Sequence, residues 1–156
     1  MDDNGKYLHM SVADNLRFRS LVFLYLVLDV DRLSDNHWIY WSERKFFCNR
    51  LTEFNNFSRH CSGDEKTLVC AEITCNYNDD IWNMPEEVIK EKVLGDLEMM
   101  KIGSIDGSTV LDCFCHKVRE AYPIYDLHYM DSVRTLSGYF SSFPNLSFFG
   151  RNAMFR

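Results

Sequence analysis

The chain has 156 residues, the length of one domain, and 46% of them are hydrophobic, so it has enough apolar side chains for a core and is not disordered. Its formal net charge of -6 argues against nucleic-acid binding, which needs a basic surface. The longest apolar run, residues 21–28, is far shorter than the roughly 20 residues that cross a bilayer. It predicts a buried strand, with no membrane span.

The N-terminal sequence and the cysteines indicate a cytoplasmic protein. Residues 1–5 lack the basic and apolar regions of a signal peptide, and the six cysteines are therefore expected to be reduced. Cys70 and Cys75 lie five apart on a predicted strand and point to opposite faces, whereas Cys113 and Cys115 share a face with His116 turned away. A metal site is the alternative, but this spacing favours small buried thiols and no metal.

The first half of the chain predicts mostly strands. A short helix over 12–19, capped by Ser11, leads into a strand over 20–30 that is apolar on both faces, and further strands are expected over 37–41 and 48–57. The strand over 67–77 alternates with period two. One face is apolar, and the other, with Glu72 and Thr74, is predicted to face solvent.

The second half predicts two helices and two strands. Pro85 starts a helix whose apolar stripe is Ile89, Val93, Leu97 and Met100, and Gly103 is expected to end it. A strand over 109–121, a helix over 128–142 stopped by Pro144, and a last strand over 146–149 follow. The whole pattern predicts an α+β fold: a mostly antiparallel sheet with helices packed on one face.

Several short strings occur together in a characteristic order. They are AYPIYDL at 121–127, FPN at 143–145 and NLSFFGRNAMFR at 145–156, preceded by NLRFRS at 15–20, DNHWIY at 35–40 and IWNM at 81–84. In order and spacing they resemble the C-terminal substrate-domain portion of FAD-dependent amine oxidases and protoporphyrinogen-oxidase-like flavoproteins related to UDP-galactopyranose mutase. The resemblance covers most of the chain and implies a part of a two-domain FAD oxidoreductase.

The resemblance also assigns site residues. It implies that Gly150, Arg151, Asn152, Ala153 and Met154 lie beside FAD and that Tyr122 and Tyr125 line a substrate site, while it names no catalytic residue. Separately, the aromatic cluster around His37 predicts that Trp38 or Tyr40 lies along a substrate cleft. The family has a glycine where this chain has Ala153, and an alanine would be costly there if that position required a positive φ.

The cofactor turn of the family is not found in these residues. The seven glycines never take the G-x-G-x-x-G spacing that receives the FAD pyrophosphate. We therefore expect an incomplete, substrate-binding portion that does not bind FAD alone. Its expected parts are an N-terminal segment with a short helix (1–19), a substrate-binding-like domain (20–144) and a truncated return to the FAD-binding domain (145–156).

Other interpretations of the same residues stay open. His37, Trp38 and Tyr40 also fit an aromatic sheet face with no substrate role, and Asp126 also fits a helix cap in a rigid turn. The alternative function is a stand-alone α+β binding or protein-interaction module. As partners we expect a separate FAD-binding chain or self-association through an exposed edge at Phe148, Phe149 and Phe155.

Overall fold

The computed structural model describes residues 11–63, 65–103, 105 and 107–156. Its strands form one sheet in the order β2-β3-β4-β1-β5. The elements are β1 (Phe18–Leu28), β2 (Trp38–Tyr40), β3 (Arg50–Glu53), β4 (Thr67–Cys75), α1 (Glu86–Met100), β5 (Val110–Pro123), α2 (Tyr129–Phe140) and α3 (Arg151–Met154), with 3-10 turns at Phe54–Asn56 and Arg59–Cys61. The predicted α+β fold is confirmed. No described helix is long and apolar enough to cross a membrane.

The described chain divides into two compact units. One, called here the body, is Leu21–Val118, and the other, called the terminal unit, joins the described residues up to Ser20 with Arg119–Arg156. In the body, β2 pairs antiparallel with β3, and β3 with β4. The predicted division at residues 19 and 144 differs from this one and stays a prediction about domains.

The core of the body lies between α1 and one face of the sheet. Alternate residues of β1 and β4 are fully buried there, as period-two alternation requires. They pack against the predicted stripe of α1, of which Ile89, Val93 and Leu97 are at most 1% exposed. Each such side chain contributes roughly 1.5–3 kcal/mol by burial. The strand residues are Val22, Leu24, Leu26 and Leu28 of β1 and Val69, Ala71 and Ile73 of β4.

Helix α1 begins where the sequence predicts and ends earlier. Pro85 precedes it in an extended conformation, with Glu86 and Glu87 in the first turn. The helix stops at Met100 because Lys101 takes the left-handed conformation at φ 54°, so the prediction that Gly103 ends it is wrong. Gly103 has φ 67° in the following loop.

The structure corrects three further expectations. Among the described residues before β1, only 11–14 are helical, because strand pairing already begins at Phe18. The strand predicted over 48–57 is shorter, since the chain turns into the 3-10 segment Phe54–Asn56. Glu72 was predicted to face solvent, yet it is only 6% exposed, because the second face of β4 is covered by other side chains.

The terminal unit lacks the predicted last strand. Residues 146–149 have no strand structure. A turn from Phe143 to Leu146 precedes them, and the next residue, Gly150, has a positive φ of 89°, so the extended segment is interrupted at both ends. Phe155, expected at an exposed edge, is only 3% exposed and packs on the rings of Phe18 and Tyr129. Phe149 is 86% exposed, as expected.

Candidate functional site

The face of the sheet opposite α1 forms a cavity of about 350 Å³, called here the sheet-face pocket. It is built from the strand residues that alternate with the core residues, so the same pattern that buries one face directs these side chains to the other. Loop and turn residues after β3 complete the wall. The lining residues are Phe23, Tyr25, Trp38, Arg50, Thr52, Phe54, Phe57, Cys70 and Glu72.

An ion pair lies in the pocket. Arg50 and Glu72 are directly opposite in the β3–β4 register, and the Arg50 guanidinium contacts the Glu72 carboxylate. Their side chains are 25% and 8% exposed. Arg50 Nη1 also donates to Tyr40 Oη at 3.2 Å, and the guanidinium lies 5.6 Å from the Tyr40 ring centre. These contacts hold the guanidinium in one orientation.

One atom of this arginine is not satisfied. Arg50 Nε is buried and has no hydrogen-bond partner among the described residues. A guanidinium has five N–H donors, and the carboxylate of Glu72 and the hydroxyl of Tyr40 do not use all of them. The pocket therefore holds a fixed cationic group with donor capacity left over.

Aromatic rings supply most of the wall. The Tyr25 ring stacks on Phe114 with centroids 4.7 Å apart and on Phe54 at 6.1 Å. Trp38 meets Phe57 edge to face at 5.0 Å. Such rings offer flat apolar surfaces against which a planar ligand packs.

Tyr25 and Cys70 are uncharged at neutral pH. Burial raises the pKa of the Cys70 thiol to about 12 by disfavouring the thiolate. Burial also raises the pKa of Tyr25, and the hydrogen bond between the two side chains adds to that rise. Arg50 and Glu72 are thus the two charged groups among the described residues that line the pocket.

The structure brings two of the four predicted substrate residues to this pocket. Trp38 lines it, and Tyr40 contacts Arg50 beside it; they are 51% and 66% exposed. His37 packs edge to face on Phe57 at 4.6 Å, so the cluster is also the aromatic sheet face of the alternative interpretation. A substrate role for Trp38 and Tyr40 stays a prediction.

The other predicted site residues lie in the terminal unit. The Arg151 guanidinium is 5.2 Å from the Tyr122 ring centre, and Asn152 Nδ2 donates to the Glu120 carbonyl at 2.8 Å. Tyr125 packs on Tyr129 and on Phe155. Tyr122 is therefore next to the predicted cofactor segment Gly150–Met154, but the contacts seen there are internal to the unit.

Two details of the terminal unit test interpretations of single residues. Ala153 lies within α3, and the positive φ values of this segment belong to Gly150 and Phe155. Position 153 therefore imposes no backbone strain on an alanine. Asp126 accepts the His128 N–H at 2.9 Å just before α2 and pairs with Arg17 at 3.2 Å. Backbone N–H donation from His128 is the main reason that the pKa of Asp126 is lowered.

A second cavity, of about 250 Å³, lies in the terminal unit. It is lined almost entirely by apolar side chains, with Ser137 as its one polar residue among those described. It offers no charged group for recognition or chemistry. The other lining residues are Leu16, Val133, Leu136, Phe140, Leu146, Phe148 and Ala153.

The cysteines contact protein groups. Cys113 Sγ lies 3.9 Å from Glu86 Oε1, and the Cys115 N–H donates to Glu86 Oε2 at 2.8 Å. Both side chains pack against the core of the body, so they share a face of β5 as predicted. Within the described ranges, no group of three or more His, Cys, Asp or Glu side chains is placed so that it could hold a metal ion.

Sequence reasoning missed the residues that define the pocket: Tyr25, Arg50, Cys70 and Glu72. The signal present in the sequence is a pair of opposite charges, Arg50 and Glu72, each directly beside a residue of the buried face. Only the register of β3 against β4 makes them neighbours, and that register is not readable from either segment alone.

No protein-family model and no curated protein matches the sequence. Solved structures do match. One is reduced UDP-galactopyranose mutase, with a TM-score of 0.72 and 12% identity over 85% of this chain and 28% of the mutase. Another is a protoporphyrinogen oxidase from Exiguobacterium, with a TM-score of 0.67 and 16% identity over 89% of this chain and 31% of the oxidase.

The chain shares its fold with part of these enzymes. Both are named in the resemblance found in the sequence, so the suspected structural relation is confirmed. At 12–16% identity the likeness concerns the fold. The chain spans 28–31% of the length of the two proteins, which fits a partial domain.

Proposed function

We propose that the chain is the substrate-binding part of an FAD-dependent oxidoreductase or mutase-like enzyme, with a small-molecule substrate held in the sheet-face pocket. The observation that carries the proposal is the pocket itself, which combines aromatic walls with a fixed Arg50–Glu72 pair. Ligand sites usually have this composition: mostly apolar lining with a few placed polar groups. The shared fold with part of two enzymes supports the same function.

FAD enters the proposal through the family resemblance, and hydride chemistry would be supplied by the flavin. The contacts made by the predicted cofactor residues are to other residues of this chain. Arg151 packs on Tyr122, Asn152 donates to a backbone carbonyl, and α3 spans only four residues. We therefore propose that these 156 residues do not bind FAD tightly on their own. The cytoplasmic location stays a prediction.

Two titrations test the proposal. Quenching of FAD fluorescence is expected to show no complex with a Kd below about 1 μM. In the second titration, small ring compounds are added while backbone amide chemical shifts are recorded. The amide shifts of pocket residues such as Thr52 and Cys70 are expected to change. A tight stoichiometric FAD complex would contradict the proposal that these residues do not bind FAD tightly on their own. A pocket that no ring compound perturbs would contradict the proposed substrate-binding role.

A protein-interaction module is the second candidate, and one observation favours it. Leu127 and Phe149 are 95% and 86% exposed in the terminal unit. Large exposed apolar side chains are typical of association surfaces. On this hypothesis the partner is a second copy of the chain or a separate FAD-binding chain.

Sedimentation tests this candidate. The wild type is expected to self-associate at tens of micromolar, and Phe149→Glu to shift it toward monomer. Ser147→Glu adds the same charge at a neighbouring exposed position and is the matched control. A monomeric wild type that no added FAD-binding protein retains would remove this candidate.

A further inference from the structure

The charges in the sheet-face pocket balance. Its described lining contains one cation, Arg50, and one anion, Glu72, which contact each other. The remaining lining residues are aromatic, or carry a neutral hydroxyl or thiol. A ligand therefore meets a local net charge of zero, although two strongly polar groups are present.

This balance affects charged and neutral ligands differently. An ionised ligand loses hydration on entering an aromatic pocket, and any attraction to one member of the pair is offset by repulsion from the other. An uncharged ligand with a polar edge avoids that loss. A carbonyl oxygen can accept from the guanidinium and an N–H can donate to the carboxylate.

The aromatic walls add a preference for shape. The Tyr25 ring lies with its centroid 4.7 and 6.1 Å from those of Phe114 and Phe54, and Trp38 and Phe57 form a second ring pair. Flat rings pack against such faces better than puckered ones do. The cavity of about 350 Å³ accommodates a small ring compound.

We propose that the charge balance of the Arg50–Glu72 pair determines the ligand specificity of the sheet-face pocket. It selects planar, uncharged ring compounds that carry both a hydrogen-bond donor and an acceptor, and it rejects their charged counterparts. The proposal rests on the substrate-binding role proposed above and names the chemical class of that substrate.

Three ring compounds of similar size test the selection on the full chain: benzamide, benzoate and benzylamine. Chemical-shift titration at pH 7 is expected to give benzamide the lowest Kd, by about fivefold or more, which corresponds to roughly 1 kcal/mol. Cyclohexanecarboxamide keeps the amide and loses the flat ring, and it is expected to bind more weakly than benzamide.

Charge variants make the test specific to the pair. Glu72→Gln leaves the cation, so benzoate is expected to become the preferred ligand, and Arg50→Gln leaves the anion, so benzylamine is expected to be preferred. The double variant Arg50→Gln/Glu72→Gln removes both charges and restores the order of the wild type. Asp35→Asn, whose exposed ion pair with Arg32 lies outside the pocket lining, is the control and leaves the order unchanged.

The outcomes separate the two proposals. If no compound perturbs the pocket, the substrate-binding role itself fails. If compounds bind there but the wild type does not prefer the uncharged one, the present inference fails while the substrate-binding role stands. The wild-type series decides this even where a single variant does not fold, and circular dichroism identifies such a variant. Preferences that do not reverse in folded single variants would also overturn the inference.

Discussion

Arg50 on β3 and Glu72 on β4 are direct neighbours across two antiparallel strands, and their side chains form an ion pair on the face of the sheet opposite α1. The residues on either side of Glu72, Ala71 and Ile73, belong to the core between that sheet and the helix. The same two strands therefore build the apolar core on one face and a polar contact on the other. Any change at Arg50 or Glu72 tests the pocket with little direct effect on the core.

The first prediction concerns the stability of this pair. Glu72→Gln is expected to lower the free energy of unfolding by about 2 kcal/mol, because it leaves the largely buried Arg50 guanidinium without its counter-charge. Urea denaturation measures the change. Asp35→Asn breaks an exposed pair with Arg32 and is expected to cost less than about 0.5 kcal/mol. Equal losses in the two variants would show that burial of the pocket pair has no energetic effect.

The second prediction concerns Asp96, a buried carboxylate on α1. Asp96 Oδ2 accepts the backbone N–H groups of Phe47 and Cys48 at 2.7 and 2.8 Å, and so ties the loop before β3 to the helix. Asp96→Ala is expected to cost about 2–3 kcal/mol in unfolding free energy, since one buried and one partly buried N–H donor lose a charged acceptor. Glu98→Ala, on the exposed side of α1, is the control and should change it little. The expectation fails if both variants unfold at the same urea concentration.

The third prediction uses two glycines with opposite requirements. Gly103 has φ 67°, and a Cβ there would lie 2.6 Å from Leu33 Cδ1, so Gly103→Ala is expected to destabilise the chain by about 1–2 kcal/mol. Gly95 is inside α1 with nothing within 4 Å of a Cβ. Gly95→Ala is expected to stabilise by about 0.5–1 kcal/mol. Thermal melts measure both, and shifts of the same sign would be inconsistent with the two backbone environments.

The fourth prediction is a pH dependence at Asp126. The pKa of its carboxyl is lowered in the folded chain, chiefly by the N–H of His128, so the charged form stabilises the folded state. That stabilisation is present above the ordinary Asp pKa and is lost as the pH falls through the lowered folded value. Asp126→Asn is expected to lower the urea midpoint at pH 7, and the difference from the wild type should shrink below about pH 4. Asp80→Asn, at an exposed position, is the control, and a difference independent of pH would contradict this assignment.

The fifth prediction concerns thiol reactivity. Burial is the main cause that raises the pKa of Cys48 and Cys70 to about 12, and these thiols stay protonated at pH 8. Cys61 is exposed, so a disulfide reagent such as DTNB is expected to modify it first, and Cys61→Ser should abolish the fast phase. Because the folded pKa values are raised, stability should fall as the pH rises from about 9 toward 12. Fast modification of Cys48 or Cys70 in the folded chain would refute the burial argument.

Much of the fold can be predicted from local patterns in the sequence. The stripe of α1 and the alternation of β4 predict their elements because each pattern is set by which residues face the core. The charge of Glu72 predicts solvent exposure by the same logic, and there it misleads, since its partner Arg50 lies 22 positions away in the sequence. Whether a charge faces water or another charge is decided by strand pairing and not by its neighbours in the chain.

The terminal unit shows a second limit of local patterns. Residues 146–149 are short and apolar enough to predict a strand, but a strand needs a partner and these residues pair with no described strand. Phe155 shows the converse. The sequence predicts that it is exposed, but in the structure it is buried against Phe18 and Tyr129, and its backbone is left-handed at φ 54°. The resemblance to known enzymes led to the right fold but pointed to neither outcome.

Trp38 gives the sheet-face pocket an optical reporter of its own. Its indole lines the pocket and is half exposed, whereas Trp41 and Trp82, the other two tryptophans, pack against the apolar core of the body. A molecule that displaces water from the pocket changes the polarity around one indole and leaves the environment of the other two nearly constant. Occupancy is thereby converted into a shift of emission from a single natural fluorophore, without any label.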